Sequence, residues 1–170
     1  NKLSQIKSKG SYTSDNKRKG VWSFYRDGKL FEDAKYIDGQ LEGENNGYYQ
    51  NGELSYKINY KNGQLDGLYE LFFINGQKKF EGTFVDGVLT GKVKRYYSNG
   101  GIDEEYSKSD EKINGDYLSV YNNGKTYFNG QYKNGKLVGD VSYFHRNGNK
   151  NFTVTYNEKG KYDGVKKTYY

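Results

Sequence analysis

Residue types that carry chemistry are thinly spread in this sequence. There is one histidine, His145, and no cysteine in 170 residues. His145 stands where other stretches have Tyr or Phe, so it reads as an aromatic substitute. A general base needs a nucleophile or substrate proton within hydrogen-bond reach, and nothing in the sequence indicates one. Neither a catalytic triad nor a multi-histidine zinc site is supported, and the absence of cysteine excludes disulfides and thiolate metal sites. The acidic run Asp103-Glu104-Glu105 could attract a hard cation. On a strand, however, Glu104 would point away from its neighbours, and no glycine-bearing calcium loop accompanies the run. The glycine-rich turns lack the Gly-Lys-Ser/Thr ending that leads a phosphate loop into a helix. Asn151-Phe152-Thr153 fits a glycosylation sequon, which matters only in a eukaryotic secretory pathway. The expectation is a non-enzyme with no catalytic residue, no metal and no cofactor.

Binding chemistry is better represented. Phe24, Tyr48, Phe72, Tyr96 and Phe144 recur between polar side chains. They could stack on sugar faces or seat a protein partner, or simply pair across strands. Lys17-Arg18-Lys19 is the densest basic cluster in a chain of net charge +6, and could contact an anionic lipid or glycan. Nucleic acid calls for aromatics inside a continuous basic groove. Asp103-Glu104-Glu105 and Asp110-Glu111 interrupt any such stripe, which argues against that partner.

These side chains must be positioned by repeats. Tyr36, Tyr60, Phe84, Tyr132 and Tyr156 open units 24 residues apart or multiples of that step, and Tyr12 opens a less regular one. Self-similarity at a fixed period marks a repeat architecture. The units run 12–35, 36–59, 60–83, 84–107, 108–131 and 132–155, with a half-unit at 156–170; residues 1–11 form a tail leading into the array. In the first unit Gly20 falls one place late. In the fifth, Lys108 replaces the leading aromatic and Glu111 a turn glycine.

Asn-Gly or Asp-Gly between alternating apolar residues is a strong hairpin signal. Each unit has two such slots, exemplified by Asn62-Gly63 and Asn75-Gly76. No proline interrupts the strands and no helical apolar stripe appears. The fold predicted is all-β: an elongated, single-layer, twisted antiparallel β-meander built from tandem 24-residue hairpin repeats. Only 33% of residues are hydrophobic, but 18% are aromatic and 20 are Tyr, which suits a thin sheet better than a thick core. No apolar run approaches the length of a membrane span.

With two-residue loops at every slot, Phe73 would pair with Lys78 and Ile74 with Gln77. The packed face would then hold the register of Tyr56-Ile58-Tyr60, Phe80-Gly82-Phe84, Phe128-Gly130-Tyr132 and Phe152-Val154-Tyr156. It would also hold Tyr25, Tyr49, Phe73, Tyr97, Tyr121 and His145, with Leu41, Leu65, Leu89, Ile113 and Leu137. Phe24, Tyr48, Phe72, Tyr96, Val120 and Phe144 fall on the opposite face. A three-residue turn with a bulge would shift the pairing by one and swap the two aromatic rows. Arg95 falls on the packed face without an evident reason. The glycine row Gly43, Gly67, Gly91, Gly115 and Gly139 is expected to permit close backbone approach, and Tyr169-Tyr170 to end an open strand edge.

Tyr60-Lys61-Asn62-Gly63-Gln64-Leu65-Asp66-Gly67 followed by Phe72-Phe73-Ile74-Asn75-Gly76 resembles the variant, second-type MORN repeat common in bacterial proteins, and the pattern returns in register over about residues 12–170. The resemblance implies a single-layer β-array with an interaction role and transfers no catalytic residue. Relatives are often described as antitoxin-like or occur as exported proteins. The function expected is a non-enzymatic scaffold for protein–protein interaction, exported or at the bacterial cell envelope. The alternatives are a surface-binding module for anionic lipid or glycan, an antitoxin-like partner of a toxin, and, for location, the cytoplasm. The chain begins at Asn1 rather than Met, from which removal of an upstream leader is expected.

Overall fold

The computed structural model describes residues 7–169. The expected lead-in therefore falls outside the described residues at 1–6, as does Tyr170 of the expected edge. Among the described residues all regular structure is β, and the chain forms two compact units, Asn1–Val88 and Leu89–Tyr170. The first contains β1 (Ser8–Tyr12), β2 (Arg18–Arg26), β3 (Lys29–Ile37), β4 (Gln40–Tyr48), β5 (Leu54–Lys61), β6 (Gln64–Phe72) and β7 (Lys78–Val85). The second contains β8 (Val88–Tyr96, whose first residue closes the preceding unit), β9 (Ile102–Ser109), β10 (Lys112–Val120), β11 (Thr126–Lys133), β12 (Lys136–Phe144), β13 (Lys150–Tyr156) and β14 (Tyr162–Thr168). Within each unit, strand order follows chain order and neighbours pair antiparallel, which is the expected meander of hairpins.

From β3 to β13 two kinds of loop alternate. One is the two-residue type I′ turn, with positive φ at both positions: Asn62 at 50° and Gly63 at 79°, Asn134 at 51° and Gly135 at 80°. Such a turn matches the strand twist and favours Asn/Asp-Gly. The other kind corrects the two-residue expectation. At residues 49–53, Tyr49 N donates to Glu53 O at 2.8 Å and Gly52 N donates to Tyr49 O at 2.9 Å, which makes a three-residue loop with only the glycine at positive φ. The same bonds recur at 73–77, 97–101, 121–125, 145–149 and 157–161. Pairing near the loop is accordingly shifted by one, so that Phe72, rather than Phe73, pairs with Lys78.

The faces nevertheless survive. Beyond the three-residue loops at 49–53, 73–77, 97–101, 121–125 and 145–149 the returning strand skips one residue: Tyr48 pairs with Leu54 but Gly47 with Tyr56, and Phe72 with Lys78 but Leu71 with Phe80. The bulge offsets the longer loop and returns each side chain to its original face. Only the first repeat departs. Its loop at Asp27-Gly28 has two residues yet a bulge follows, so Phe24 pairs with Glu32 and Tyr25 with Leu30. Phe24 thus joins the packed face and Tyr25 leaves it, the reverse of the expectation. The frame slip visible at Gly20 is the cause. In the glycine row Gly67 does mark a close approach, since a Cβ there would lie 3.1 Å from Asn59 Cβ, but the row has another role as well. Gly91, Gly115 and Gly139 have open space where a Cβ would point; their φ values of 69°, 91° and 66° mark a second bulge, which a side chain would strain.

Each unit has its own small core. In the first, Trp22, Ala34 and Tyr36 form a buried cluster with Phe24 and Leu41 against it, and Ile58 is buried further along. In the second, Val93 and Val141 are fully buried, with Phe128 and Val154 nearly so.

Candidate binding face

Two cross-strand rungs define the ring-bearing face of the first unit. One runs Trp22, Ala34, Asn45, Ile58, Tyr69, Gly82; the other runs Phe24, Glu32, Gly47, Tyr56, Leu71, Phe80. Alternation puts all of them on one side of the sheet. In the second unit the corresponding rung is Arg95, Glu104, Ser119, Phe128, Tyr143, Phe152. Rings meet tilted or stacked along the face: Tyr69 on Phe84 at 5.2 Å, Tyr106 on Tyr117 at 5.4 Å, Tyr117 on Tyr132 at 5.5 Å and Tyr143 on Phe152 at 4.5 Å. Such pairs contribute about 0.5–1.5 kcal/mol beyond area burial. Most of these tyrosines are half-buried. Burial, first of all, pushes the Tyr60, Tyr106, Tyr132 and Tyr143 hydroxyls above the ordinary tyrosine range.

Carboxylates sit inside this ring field. Glu104 takes Arg95 Nη1 at 3.2 Å, which accounts for an arginine on the packed face. Burial, and then the hydrogen bond to Glu104, hold Tyr117 well above its usual value. Glu32 accepts from Asn45 Nδ2 at 3.3 Å. Tyr56 is pushed up to about 12, first by burial and then by the charge of Glu32. Sequence reasoning missed Glu32, Asn45 and the Arg95–Glu104 pair as site residues. The signal available was a polar residue in a register that is otherwise apolar.

The opposite face is organised by ion pairs. Lys57 meets Glu44 at 2.9 Å, and Lys78 meets Glu70 at 2.6 Å and Glu81 at 2.7 Å. These carboxylates, Glu70 first, raise the Lys78 ammonium above the ordinary lysine range. Tyr48, Phe72, Tyr96, Val120 and Phe144 lie on this side as the alternation requires, beside the three-residue loops. Tyr48 donates to Asp33 Oδ2 at 2.6 Å and is pushed up to about 12, by burial first and that bond second. Lys150 Nζ lies 5.9 Å from the Phe144 ring. The sequence row Phe24, Tyr48, Phe72, Tyr96, Phe144 is thus divided between two faces, since Phe24 stacks on Trp22 at 6.1 Å.

The basic cluster is similarly dispersed. Lys17 pairs with Asp15 at 3.0 Å. The Arg18 guanidinium lies over three rings, 4.7 Å from Trp22, 5.2 Å from Phe24 and 5.3 Å from Tyr36, and Nη1 donates to the Tyr36 hydroxyl at 3.3 Å. Lys19 is exposed. His145 stands immediately before a three-residue loop, exposed, where its counterparts are Tyr49, Phe73, Tyr97 and Tyr121. Glu104 and Glu105 point to opposite faces, the latter toward Lys92 at 2.5 Å. Among the described residues no group of three or more acidic or histidine side chains could hold a metal ion. Also among them, no helix is long and apolar enough to cross a membrane.

Two hairpins match the family model described as MORN repeat variant, at residues 41–62 and 89–107. The first match spans all but the first residue of β4, its three-residue loop and β5; the second spans all but the first residue of β8, its loop and most of β9. Each is therefore one hairpin of the bulged kind, and each lies within one unit. No curated protein matches the chain. The MORN repeat variant likeness supports a repeat module suited to interactions and brings no catalytic residue with it.

Proposed function

We propose that the protein is a non-enzymatic binding scaffold that seats a protein partner on the ring-bearing face of its repeats. One observation carries this reading. Tyr56, Tyr69 and Phe80 in the first unit, and Tyr106, Tyr117, Tyr132 and Tyr143 in the second, are half-buried, and among the described residues there is no helix to cover them. Tyrosine offers a flat apolar body with a polar tip, and aromatic side chains are enriched where proteins meet. On the other side Glu44, Glu70, Glu81 and Glu105 already have lysine partners. A partner docking there would have to displace solvated ion pairs for little gain.

The test is co-purification from extract of the same cells, with variants first shown to be folded by circular dichroism. Tyr106→Ser/Tyr132→Ser is expected to lose a protein that Tyr48→Ser/Phe72→Ser/Tyr96→Ser retains. The reverse pattern would put contact on the ion-paired side, and retention by both would remove the faces from consideration. The protein recovered would also separate an antitoxin role, in which it is a toxin, from an envelope scaffold.

A further inference from the structure

On the ion-paired face Lys78 is held by Glu70 and Glu81, which pair with each other across β6 and β7. Three repeats on, the same positions are Lys150, Ser142 and Thr153. The register is unchanged: Ser142 pairs with Thr153, and Phe144 with Lys150 as Phe72 with Lys78. The β12–β13 hairpin thus keeps the cation and replaces both carboxylates with hydroxyls. Lys167 on β14 pairs with Thr153 and brings a second ammonium to the same side. Neither lysine has a carboxylate partner among the described residues. Lys150 Nζ lies 5.9 Å from the Phe144 ring and 5.4 Å from the Tyr169 ring, contacts that leave its charge unneutralised.

These groups border a cavity of about 210 Å³, lined by Ser142, Thr153, Lys150, Lys167, Tyr169 and Asp140 among others. The hydroxyl pair lies at its base, with Ser142 8% and Thr153 9% exposed. Ser142 Oγ and Thr153 Oγ1 are 3.1 Å apart and share one hydrogen bond. A hydroxyl carries one proton, so one of the two protons finds no acceptor in the pair, and no other hydrogen bond among the described residues takes it. Asp140 is two residues along β12 from Ser142, away from the Lys150 end, and accepts from Thr155 Oγ1 at 2.6 Å. Two ammoniums against this one carboxylate leave the cavity with a positive balance.

The sister site shows what such a lysine takes. Two carboxylates, Glu70 and Glu81, converge on Lys78 at 2.6 and 2.7 Å. Around Lys150 the chain supplies no negative charge in that place and adds a cation and a spare hydroxyl donor. A tetrahedral oxyanion has oxygens enough for two ammoniums and a hydroxyl together, and a charge-assisted bond to each is stronger than a neutral one.

We infer that Lys150, Lys167 and the Ser142–Thr153 hydroxyl pair form a binding site for a phosphate or sulfate group. The bound anion takes the place that Glu70 and Glu81 hold beside Lys78. The site is on the side of the sheet away from the rings proposed to seat a protein partner, so it is a second site and does not rest on that reading.

The full chain, labelled with ¹⁵N, is titrated at constant ionic strength with inorganic phosphate and with glucose 6-phosphate. It is also sedimented with phosphatidylcholine vesicles with and without phosphatidic acid. At least one of these phosphates is expected to bind saturably, the two soluble ones moving the amide signals of residues 142, 153 and 167. The tightest of the three identifies the source as free ion, sugar ester or lipid headgroup. Lys150→Gln should weaken binding about tenfold, the loss appropriate to a charge-assisted bond. Lys166→Gln removes the same charge from a neighbouring position, but Lys166 pairs with Val154 and its Nζ lies 4.6 Å from the Phe152 ring, on the other face. It should leave binding unchanged. Thr153→Glu restores a carboxylate of the sister site and should abolish binding, with amide signals remote from β13 reporting an intact fold. No saturable response to any of the three up to roughly 10 mM phosphate, equal losses in Lys150→Gln and Lys166→Gln, or undiminished binding in a folded Thr153→Glu would each overturn the inference.

Discussion

Glu111 is the residue whose conformation its own type least favours. It holds the second position of a type I′ turn at φ 62°, after Asp110 at 49°, where the sister turns have glycine at 76–83°. A side chain in the left-handed region costs roughly 1–2 kcal/mol, and glycine returns part of that gain through the entropy of the unfolded chain. Glu111→Gly is therefore expected to stabilise the second unit by about 1 kcal/mol, read as a higher denaturant midpoint at unchanged slope. A lower midpoint would show that the Glu111 side chain contributes more than its backbone costs. The irregularity itself was legible from Glu111 replacing a turn glycine. That the turn persists despite it was not, because the pairing of Lys112 with Ser109 is fixed by the strands on either side. Glu32 and Asn45 were similarly hidden. Each looks like an ordinary polar residue of a half-exposed strand until the register of β3 and β4 sets them on neighbouring rungs.

The hairpins show why the faces could be read although the loops were misjudged. Asn-Gly codes for two backbones here. Asn62 adopts the left-handed region, as a type I′ turn requires, whereas in Asn51-Gly52 only the glycine does. The difference lies outside the dipeptide. Asn51 Oδ1 accepts from Glu53 N at 3.1 Å, and Nδ2 reaches across to Ile74 O at 3.2 Å in the next hairpin. A tyrosine at the head of the loop makes a parallel link: Tyr49 to Phe72 O at 2.6 Å, Tyr97 to Val120 O at 2.7 Å and Tyr121 to Phe144 O at 3.0 Å. These contacts span one repeat, so no local window contains them. The paired errors of loop length and bulge offset each other, which left the alternation readable. Because Phe73 occupies the same slot without a hydroxyl, the ring is needed more than the bond. Tyr121→Phe is expected to cost about 1 kcal/mol in the second unit and to speed amide exchange at residues 145–149. A destabilisation as large as that of Tyr121→Ala would mean that the hydroxyl, rather than the ring, fixes the loop.

At the scale of the molecule, composition had already indicated how burial would be achieved. Twenty tyrosines and little aliphatic material make a sheet whose faces are covered by their own rings, with small cores at Trp22-Ala34-Tyr36 and at Val93 and Val141. Which face remains available for a partner could not be read from composition. It depends on where the charges pair, and the ladder Lys57–Glu44, Lys78–Glu70 and Lys92–Glu105 assembles only when the strands are in register. The central claim is that a partner contacts the ring-bearing face. The most direct measurement is site-resolved photocrosslinking, with benzoylphenylalanine placed singly at Tyr56 and Tyr132 on that face and at Lys57 and Lys92 on the other. The account predicts one covalent adduct of the same mass from Tyr56 and Tyr132, and none from the lysine positions. An adduct from Lys57 and Lys92 alone would contradict it.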